Sequence, residues 1–215
     1  MAKSPLERRS YSFDVMSEEN ENGSILTGRP IVYNQRTDLG LFDEVIDSGA
    51  LDSADLTDVR FLVNHDISRI PLARSRRNNG NSTMQFSVDQ NGLNLDWVKL
   101  DTENNADARA LYSAVKRGDI SGMSFMFSVD GESWENLDSD HPTRHITSIG
   151  SVVEVSAVTF PAYDSTEINA RSNEMMDSVS SALEKAREQR AKSVDTDANT
   201  LALLKEKTKI ITGGI

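Results

Sequence analysis

Three residues of this chain, His65, Ser124 and Glu154, have side chains that together can cleave an acyl bond. Each interrupts an apolar, strand-like stretch of sequence: FLVNHD, ISGMSFMF and VVEVSAVTFP. A hydroxyl, an imidazole that can accept its proton and a carboxylate that can hold the imidazole are the parts of a serine hydrolase. A polar side chain within apolar sequence also needs a hydrogen-bonding partner. The three residues therefore predict a hydrolytic site.

Each of these residues also has an ordinary structural interpretation. His65, which is the only histidine among residues 1–140, could be a buried histidine bonded to the backbone. Glu154 could be a glutamate of an edge strand that faces water. Ser124 could be an ordinary serine of a strand, and as nucleophile it competes with the other serines of the apolar segments, which are Ser121, Ser128 and Ser156.

The segments that must position these residues are predominantly β-strands. Seven runs are rich in β-branched and aromatic residues and are bounded by Gly, Asn or Asp, which favours strands and predicts a closed or nearly closed sheet. They are RSYSFDV, ILTGRPIVYN, VRFLVN, TMQFSV, GLNLDWVKL and the runs around Ser124 and Glu154. Within them, SVDQNGLNLDW predicts a hairpin, because Gly92 can adopt a positive φ after the polar turn.

Helices are predicted at three places. Residues 101–117 have an apolar face, Asp101 or Thr102 as N-cap and Gly118 as the terminating residue. A shorter helix is expected within residues 48–56, and the third lies in the C-terminal part of the chain. Because a helix precedes Ser124 and strand sequence follows it, the segment lacks the strand–serine–helix order of the nucleophile elbow, which argues against an α/β-hydrolase.

The chain divides near residue 171 into two parts. Residues 1–171 form the predicted catalytic domain, and residues 172–215 form a helical, flexible C-terminal tail. In the tail, an amphipathic helix with Met175, Met176, Val179, Leu183 and Ala186 on one face is followed by a polar linker, SVDTDANT, and a short end. The tail is expected to be a partner-binding arm or an extension that is removed by proteolysis.

Composition excludes several classes of function. The 215 residues include no cysteine, so a disulfide scaffold, a thiol nucleophile and a thiolate zinc site are excluded. The net charge of −11 lies entirely on residues 1–171, because the tail has seven acidic and seven basic residues. An acidic body repels phosphate backbones, which disfavours nucleic-acid binding. No run of about 20 apolar residues and no secretory signal is evident, so we expect a cytoplasmic protein without a membrane span.

The three segments that contain His65, Ser124 and Glu154, in this order, resemble the prohead maturation proteases of tailed bacteriophages, a family distantly related to herpesvirus assemblin. The resemblance covers about residues 11–164. It rests on FLVNHD followed by PLAR, on the glycine-hydrophobic-serine core of ISGMSFMF and on EVSAVTFPAYDS, with further matches at GRPIVYN, DSGAL and GLNLDWVKL.

The resemblance implies a fold and a set of roles. The fold is mainly β with α (α+β), with a β-barrel-like, herpesvirus-protease-type core, flanking helices and the tail. Ser124 corresponds to the nucleophile, His65 to the general base and Glu154 to the third catalytic residue. Herpesvirus relatives use a second histidine in the third role, so His145 is the rival of Glu154.

The implied activity is that of a serine endopeptidase of procapsid maturation. Its substrates would be the scaffolding segment of the major capsid protein, a separate scaffold protein and the protease itself. It would act inside the procapsid, in the host cytoplasm, and a homodimer is plausible from the herpesvirus relatives. No cofactor, no nucleic acid and no membrane is implied.

Two other functions remain open from the residues alone. One is a non-catalytic capsid assembly or scaffolding protein that uses the tail as its working part. The other is a metal-dependent hydrolase in which Asp66, His141 and His145 bind the ion, although no i, i+4 histidine pair on a predicted helix supports it.

Overall fold

The computed structural model describes residues 5–11, 15–20, 23–159 and 173–211. Its elements, in chain order, are β1 (Leu6–Tyr11), β2 (Met16–Asn20), β3 (Gly23–Val32), β4 (Thr37–Asp38), β5 (Asp43–Ile46), β6 (Asp58–Val63), β7 (Ala73–Arg76), β8 (Met84–Asp89), β9 (Gly92–Leu100), α1 (Ala106–Arg117), β10 (Gly122–Glu135), β11 (Thr143–Val158) and α2 (Asn173–Ile211). The predicted α+β class, mainly β with helices, is confirmed.

The described strands form two sheets. A seven-stranded sheet has the order β1-β10-β11-β5-β4, with β6 also paired to β11 and β7 paired to β6. A four-stranded sheet has the order β2-β3-β9-β8. Neither sheet closes on itself within the described ranges, so the part of the prediction that allowed a closed sheet is wrong, and a barrel-like, herpesvirus-protease-type core is not confirmed.

The forked pairing of β11 explains why the larger sheet stays open. One edge of this 16-residue strand pairs antiparallel with β10 along most of its length. The other edge pairs parallel with β5 through Thr143–Ile146 and then with β6 through Glu154–Ala157. Two separate strands, β5 and β6, therefore pair with one edge of β11. Beyond them the sheet ends at β4 and at β7, so its edges do not meet.

Most of the predicted strands lie where the sequence patterns placed them, whereas the short strands β2, β4, β5 and β7 were not predicted. The predicted hairpin is confirmed as β8–β9. Gly92 has φ of 129°, and a Cβ at this position would lie 2.1 Å from the carbonyl oxygen of Ile31. Only glycine fits both the positive φ and this close approach of β3.

Helix α1 begins later than predicted. Asn105, not Asp101 or Thr102, is the N-cap, and its side chain accepts hydrogen bonds from the backbone N–H groups of Asp107 and Ala108. Residues 101–104 instead form a turn held by the Asp101 carboxylate, which accepts from the Asn104 N–H at 3.0 Å. Gly118 ends the helix in the left-handed conformation at φ of 77°, as predicted.

Two local expectations are wrong. The helix expected within residues 48–56 is a series of turns, in which Ala50 N–H donates to the Asp47 carbonyl and Ala54 N–H to that of Leu51. The SVDTDANT segment is not a linker, because α2 runs through it without interruption. Polar side chains are compatible with a helix whose outer surface is solvated. No helix among the described residues is long and apolar enough to cross a membrane.

Two apolar clusters hold these elements together. The larger joins side chains of both sheets to one face of α1, including Leu26, Phe61, Leu111 and Phe125. The smaller packs α2 against the body, with Val179, Leu183 and Ala186 contacting Leu39, Phe42 and Leu137. The first part of the predicted tail is therefore packed against the β-rich part of the chain.

Candidate active site

His65 lies just beyond the end of β6 and not within a strand. Asn64 and His65 both have left-handed backbone conformations, with φ of 51° and 58°. Residues other than glycine rarely adopt this backbone conformation except at turns and functional sites. The Asn64 N–H still donates to the carbonyl of Ala157, and its side chain pairs with Thr159 through two hydrogen bonds of 2.9 and 3.0 Å. This pairing fixes the two turn residues, so that the imidazole is directed back toward the sheet.

Glu154 lies in the middle of β11, between β10 and β6. It is opposite Met126 on one side and Arg60 on the other, and its side chain is 3% exposed. The interpretation as an edge-strand glutamate facing water is therefore wrong. One carboxylate oxygen, Oε1, contacts Nδ1 of His65 in a short hydrogen bond. The buried carboxylate thus has the imidazole as a partner.

Ser124 completes a chain of three side chains. Its Oγ lies 2.5 Å from Nε2 of His65. Since Nδ1 donates to the carboxylate of Glu154, Nε2 is left as the acceptor for the serine hydroxyl. The structure brings together the hydroxyl, imidazole and carboxylate that the sequence singled out, in the order that proton transfer requires.

Ser156 supports the histidine and the glutamate at the same time. Its hydroxyl donates to Oε2 of Glu154 at 2.6 Å and accepts the backbone N–H of His65 at 3.1 Å. The sequence offered Ser156 only as a rival nucleophile, because its contact with His65 depends on the parallel register of β6 and β11. Its position two residues after Glu154, on the same face of a strand, was the available signal.

Strand β1 covers the nucleophile. It is antiparallel to β10, with Ser10 opposite Ser124, and the Arg9 carbonyl accepts a hydrogen bond from Ser124 Oγ at 2.7 Å. Ser124 is 0% exposed. The single proton of the hydroxyl therefore has two acceptors, the imidazole and a backbone carbonyl of the same chain.

A buried cluster of four charged residues, Glu7, Arg9, Glu44 and Arg144, holds β1 in this position. Arg9 binds both oxygens of Glu44, at 2.5 and 2.8 Å, and Arg144 binds Glu7 and Glu44. Burial lowers the pKa of Arg9, but the neighbouring Glu44 and Glu7 outweigh it, and the pKa is raised above its ordinary value. Burial raises the pKa of Glu7, yet its bonds to Arg144 and Arg9 reverse this and hold it below the ordinary 4.5. Each of the four side chains thus has a partner of opposite charge, as buried charged groups require.

The other candidates from the sequence lie elsewhere. Ser128 shares a hydrogen bond with Ser151 at 3.0 Å, and Ser121 is exposed just before β10. The rival third residue, His145, has its Nδ1 2.8 Å from Asp47. The structure thus places Glu154 at His65, whereas His145 pairs with a different carboxylate.

The metal-site alternative from the sequence is not assembled as expected. His141 lies with Asp38 and Asp43, 3.7 and 3.1 Å from one oxygen of each, and not with Asp66 and His145. Asp43 is also paired with Arg36. These contacts explain the cluster as a surface ion-pair group.

A carboxylate-bound imidazole facing a buried serine hydroxyl is the side-chain arrangement of the serine hydrolases. A family model described as caudovirus prohead serine protease matches residues 11–181 of the chain. The chain therefore belongs to the caudovirus prohead serine protease family, and the resemblance inferred from its motifs is confirmed. The protein is a serine protease of the phage prohead. No curated protein and no solved structure matches the chain.

Proposed function

We propose that this chain is a serine endopeptidase in which Ser124 is the nucleophile, His65 the general base and Glu154 the third catalytic residue. The observation that carries the proposal is the continuous contact from Glu154 through both nitrogens of His65 to Ser124 Oγ. Among the described serines, Ser124 is the one whose hydroxyl contacts an imidazole nitrogen.

The geometry supports a two-step acyl transfer. As Ser124 Oγ attacks the substrate carbonyl carbon, His65 Nε2 accepts the hydroxyl proton, and Glu154 stabilises the resulting imidazolium. The same nitrogen then donates its proton to the leaving amine, and a water molecule hydrolyses the acyl-enzyme in a second round. Ser156 holds the carboxylate and the histidine backbone in register throughout.

The substrates we propose are the proteins of the procapsid. Family membership supports the scaffolding segment of the major capsid protein, or a separate scaffold, together with the protease itself, cut inside the procapsid in the host cytoplasm. The tail supports a targeting role. Its first turns are anchored by Val179 and Leu183, whereas the described side chains of residues 191–205 are exposed. An anchored helix with an exposed outer portion can bind a helix of the scaffold or shell.

Room for substrate side chains exists beside the histidine. A cavity of about 400 Å³ lies between the turn after β6 and helix α1, with apolar walls that include Leu62, Leu72 and Leu111. Asn64 and Asp66, the neighbours of His65, form part of its rim. We propose that this cavity accepts an apolar side chain of the substrate.

The test compares the wild-type chain with Ser124→Ala, each co-expressed with the cognate capsid protein and followed by intact mass. A fluorophosphonate that labels reactive serines is applied to both. We expect cleavage and labelling in the wild type and neither in the variant. Ser128→Ala, which removes another buried hydroxyl of β10, is the matched control and should retain both.

Two results would contradict the proposal. Cleavage that persists in Ser124→Ala would exclude this serine as nucleophile. An unlabelled wild type that leaves an assembled capsid protein intact would favour a non-catalytic role in assembly, with α2 as the working part.

A further inference from the structure

Strand β1 occupies the position that an extended substrate needs. Proteins bind extended peptides by adding them as a strand to an open sheet edge. Among the described strands, β1 pairs with β10 alone, which is the strand that carries Ser124. It is antiparallel, and its backbone contacts the nucleophile directly.

The peptide bond between Arg9 and Ser10 is the one that faces Ser124. The Arg9 carbonyl oxygen lies 2.7 Å from Ser124 Oγ. The carbonyl carbon is about 1.2 Å further along the C=O bond, so it lies within about 3.9 Å of Oγ. Attack requires a separation of about 3–3.5 Å. A shift of less than about 1 Å, with the hydroxyl turned from the carbonyl oxygen toward its carbon, would therefore bring the two atoms to the distance of attack.

The side chain of Arg9 fills a site built for a guanidinium. It is 1% exposed, forms two hydrogen bonds with Glu44 and lies 5.7 Å from the ring centroid of Phe127. Glu44 is also bound by Arg144 at 3.0 Å, so it keeps an ionic partner when β1 leaves. A site that pairs a carboxylate and an aromatic face with one arginine selects that side chain.

On these observations we propose that the Arg9–Ser10 bond is a self-cleavage site, and that the protease prefers substrates with arginine on the acyl side of the cleaved bond. The acidic Glu7, which binds Arg9 and Arg144, extends the preference to the pattern Glu-x-Arg followed by a small residue. The family match begins at residue 11, so the segment that would be released lies outside the shared part of the chain. This inference rests on the proposed protease activity and names its specificity.

The proposed step conserves atoms and charge. Ser124 Oγ forms a bond to the Arg9 carbonyl carbon while its proton passes to His65 Nε2. The C–N bond to Ser10 breaks, and the Ser10 nitrogen takes that proton and leaves as a free amine. Water then cleaves the Arg9 ester, which releases a carboxylate at Arg9 and restores the Ser124 hydroxyl.

The same pattern occurs at one other place in the sequence. Glu-x-Arg is found at residues 7–9 and 188–190 and nowhere else, and the following residues, Ser10 and Ala191, are both small. The second site lies in α2, where Arg190 pairs with Asp138 and both side chains are more than half exposed. Cleavage there requires local unwinding of the helix, and it would release residues 191–215. The specificity read from β1 therefore predicts where the tail is removed.

The first experiment follows self-processing by intact mass and N-terminal sequencing. The wild-type chain is incubated alone and after co-expression with the cognate capsid protein, beside Ser124→Ala. We expect the wild type to lose residues 1–9 and to show a new terminus at Ser10, followed by a second product that ends at Arg190. Ser124→Ala should remain whole.

The second experiment moves the substitutions into a peptide, so that they cannot affect folding of the enzyme. A synthetic peptide of residues 3–15 is supplied to the wild-type enzyme, beside versions that carry Arg9→Ala or Arg8→Ala. Loss of a doubly hydrogen-bonded ionic contact should lower kcat/KM for the Arg9→Ala peptide at least tenfold. The Arg8→Ala peptide, altered at the neighbouring arginine, should stay within about twofold of the unmodified peptide.

The outcomes separate this inference from the proposed function. A wild type that cleaves the capsid protein and reacts with the fluorophosphonate, but keeps residues 1–9, would overturn the inference and leave the function intact. Equal loss for the two substituted peptides would overturn the arginine preference. An enzyme that neither reacts nor cleaves would overturn both.

Discussion

At the scale of single residues, the site depends on two hydrogen bonds that the imidazole cannot form in the wrong tautomer. Glu154 fixes the proton of His65 on Nδ1, and this leaves Nε2 free to accept from Ser124. Ser156 is linked to both Glu154 and His65, so in the proposed mechanism it is a positioning residue that does not contact the reacting atoms. Loss of the Glu154–His65 hydrogen bond and loss of the Ser156 hydrogen bonds are therefore expected to lower kcat by different factors.

Glu154→Gln should lower kcat sharply with little change in KM. The amide keeps the shape of the carboxylate but can donate to Nδ1, which stabilises the wrong tautomer, and it cannot stabilise the imidazolium. By analogy with the loss of the acidic member of other serine triads, we expect kcat to fall by about 10²–10⁴-fold. Steady-state kinetics on the peptide of residues 3–15 measures this, and an unchanged kcat would exclude Glu154 from the triad.

Ser156→Ala should lower kcat by a smaller factor. It removes one hydrogen bond from the Glu154 carboxylate and one from the His65 backbone, but it leaves the hydrogen bonds that join Glu154, His65 and Ser124, here called the relay, in place. A fall of about tenfold is expected, roughly the effect of losing the hydrogen bond to the charged carboxylate. Ser128→Ala is the control, since its hydroxyl bonds to Ser151 on the neighbouring strand, away from the relay. Equal losses in both variants would show a general effect of strand packing.

The sequence predicted His65, Ser124 and Glu154 because each interrupts an apolar run, and that signal is local. It could not predict the role of Ser156, which arises from the pairing of β6 with β11. Nor could it predict the buried cluster of four charged residues around Arg9, whose partners are separated by as many as 137 positions. Charged residues of this kind look like surface residues until the sheet order is known.

At the scale of elements, α2 is the feature whose sequence interpretation changed most. The amphipathic face with Val179, Leu183 and Ala186 was recognised, but the part of the body that it contacts was not. Leu39 and Phe42 lie beside the short strands β4 and β5, which give too little pattern to predict. The polar stretch after residue 192 continues the helix because nothing in it, neither Pro nor Gly, interrupts the backbone hydrogen bonds.

Leu183→Ala should destabilise the chain, whereas Leu204→Ala should not. Leu183 is 7% exposed within the smaller apolar cluster, and Leu204, on the same helix, is 56% exposed. Truncation of a buried leucine costs roughly 2–5 kcal/mol, and an exposed one costs within about 0.5 kcal/mol. Urea unfolding of both variants in the Ser124→Ala background measures the difference. Equal free energies of unfolding would show that α2 does not pack on the body in solution.

At the scale of the whole molecule, the two sheets and α1 share one core, and the buried charges join β1, β5 and β11 across the larger sheet. Because these charges are paired only in the folded state, they tie the stability of the chain to pH. Glu7 is the member whose pKa is held below its ordinary value, by Arg144 and Arg9.

Glu7→Gln should make the free energy of unfolding depend less on pH in the acid range. A carboxylate with a lowered folded pKa contributes stability that is present above its unfolded pKa, near 4.5, and is lost as the pH falls through the folded value. In the Ser124→Ala background, which keeps β1 attached, the Glu7→Gln variant and the chain that retains Glu7 are unfolded side by side. The gap between their free energies of unfolding should be largest near neutral pH and should shrink below about pH 4.5. Glu188→Gln, at an exposed position of α2, should give no gap at any pH.

The sequence separations within the site have a consequence for folding. The hydrogen bonds of the site join residues 59, 89 and 115 positions apart. Contacts between such distant segments form slowly, because the entropy of closing long loops must be overcome before the contacts are gained. An incomplete chain on the ribosome, or one only partly folded, therefore has the serine and the histidine but not the relay between them. If these residues act as proposed, peptide cleavage begins only after the long-range topology is complete, and a chain still in synthesis is inactive.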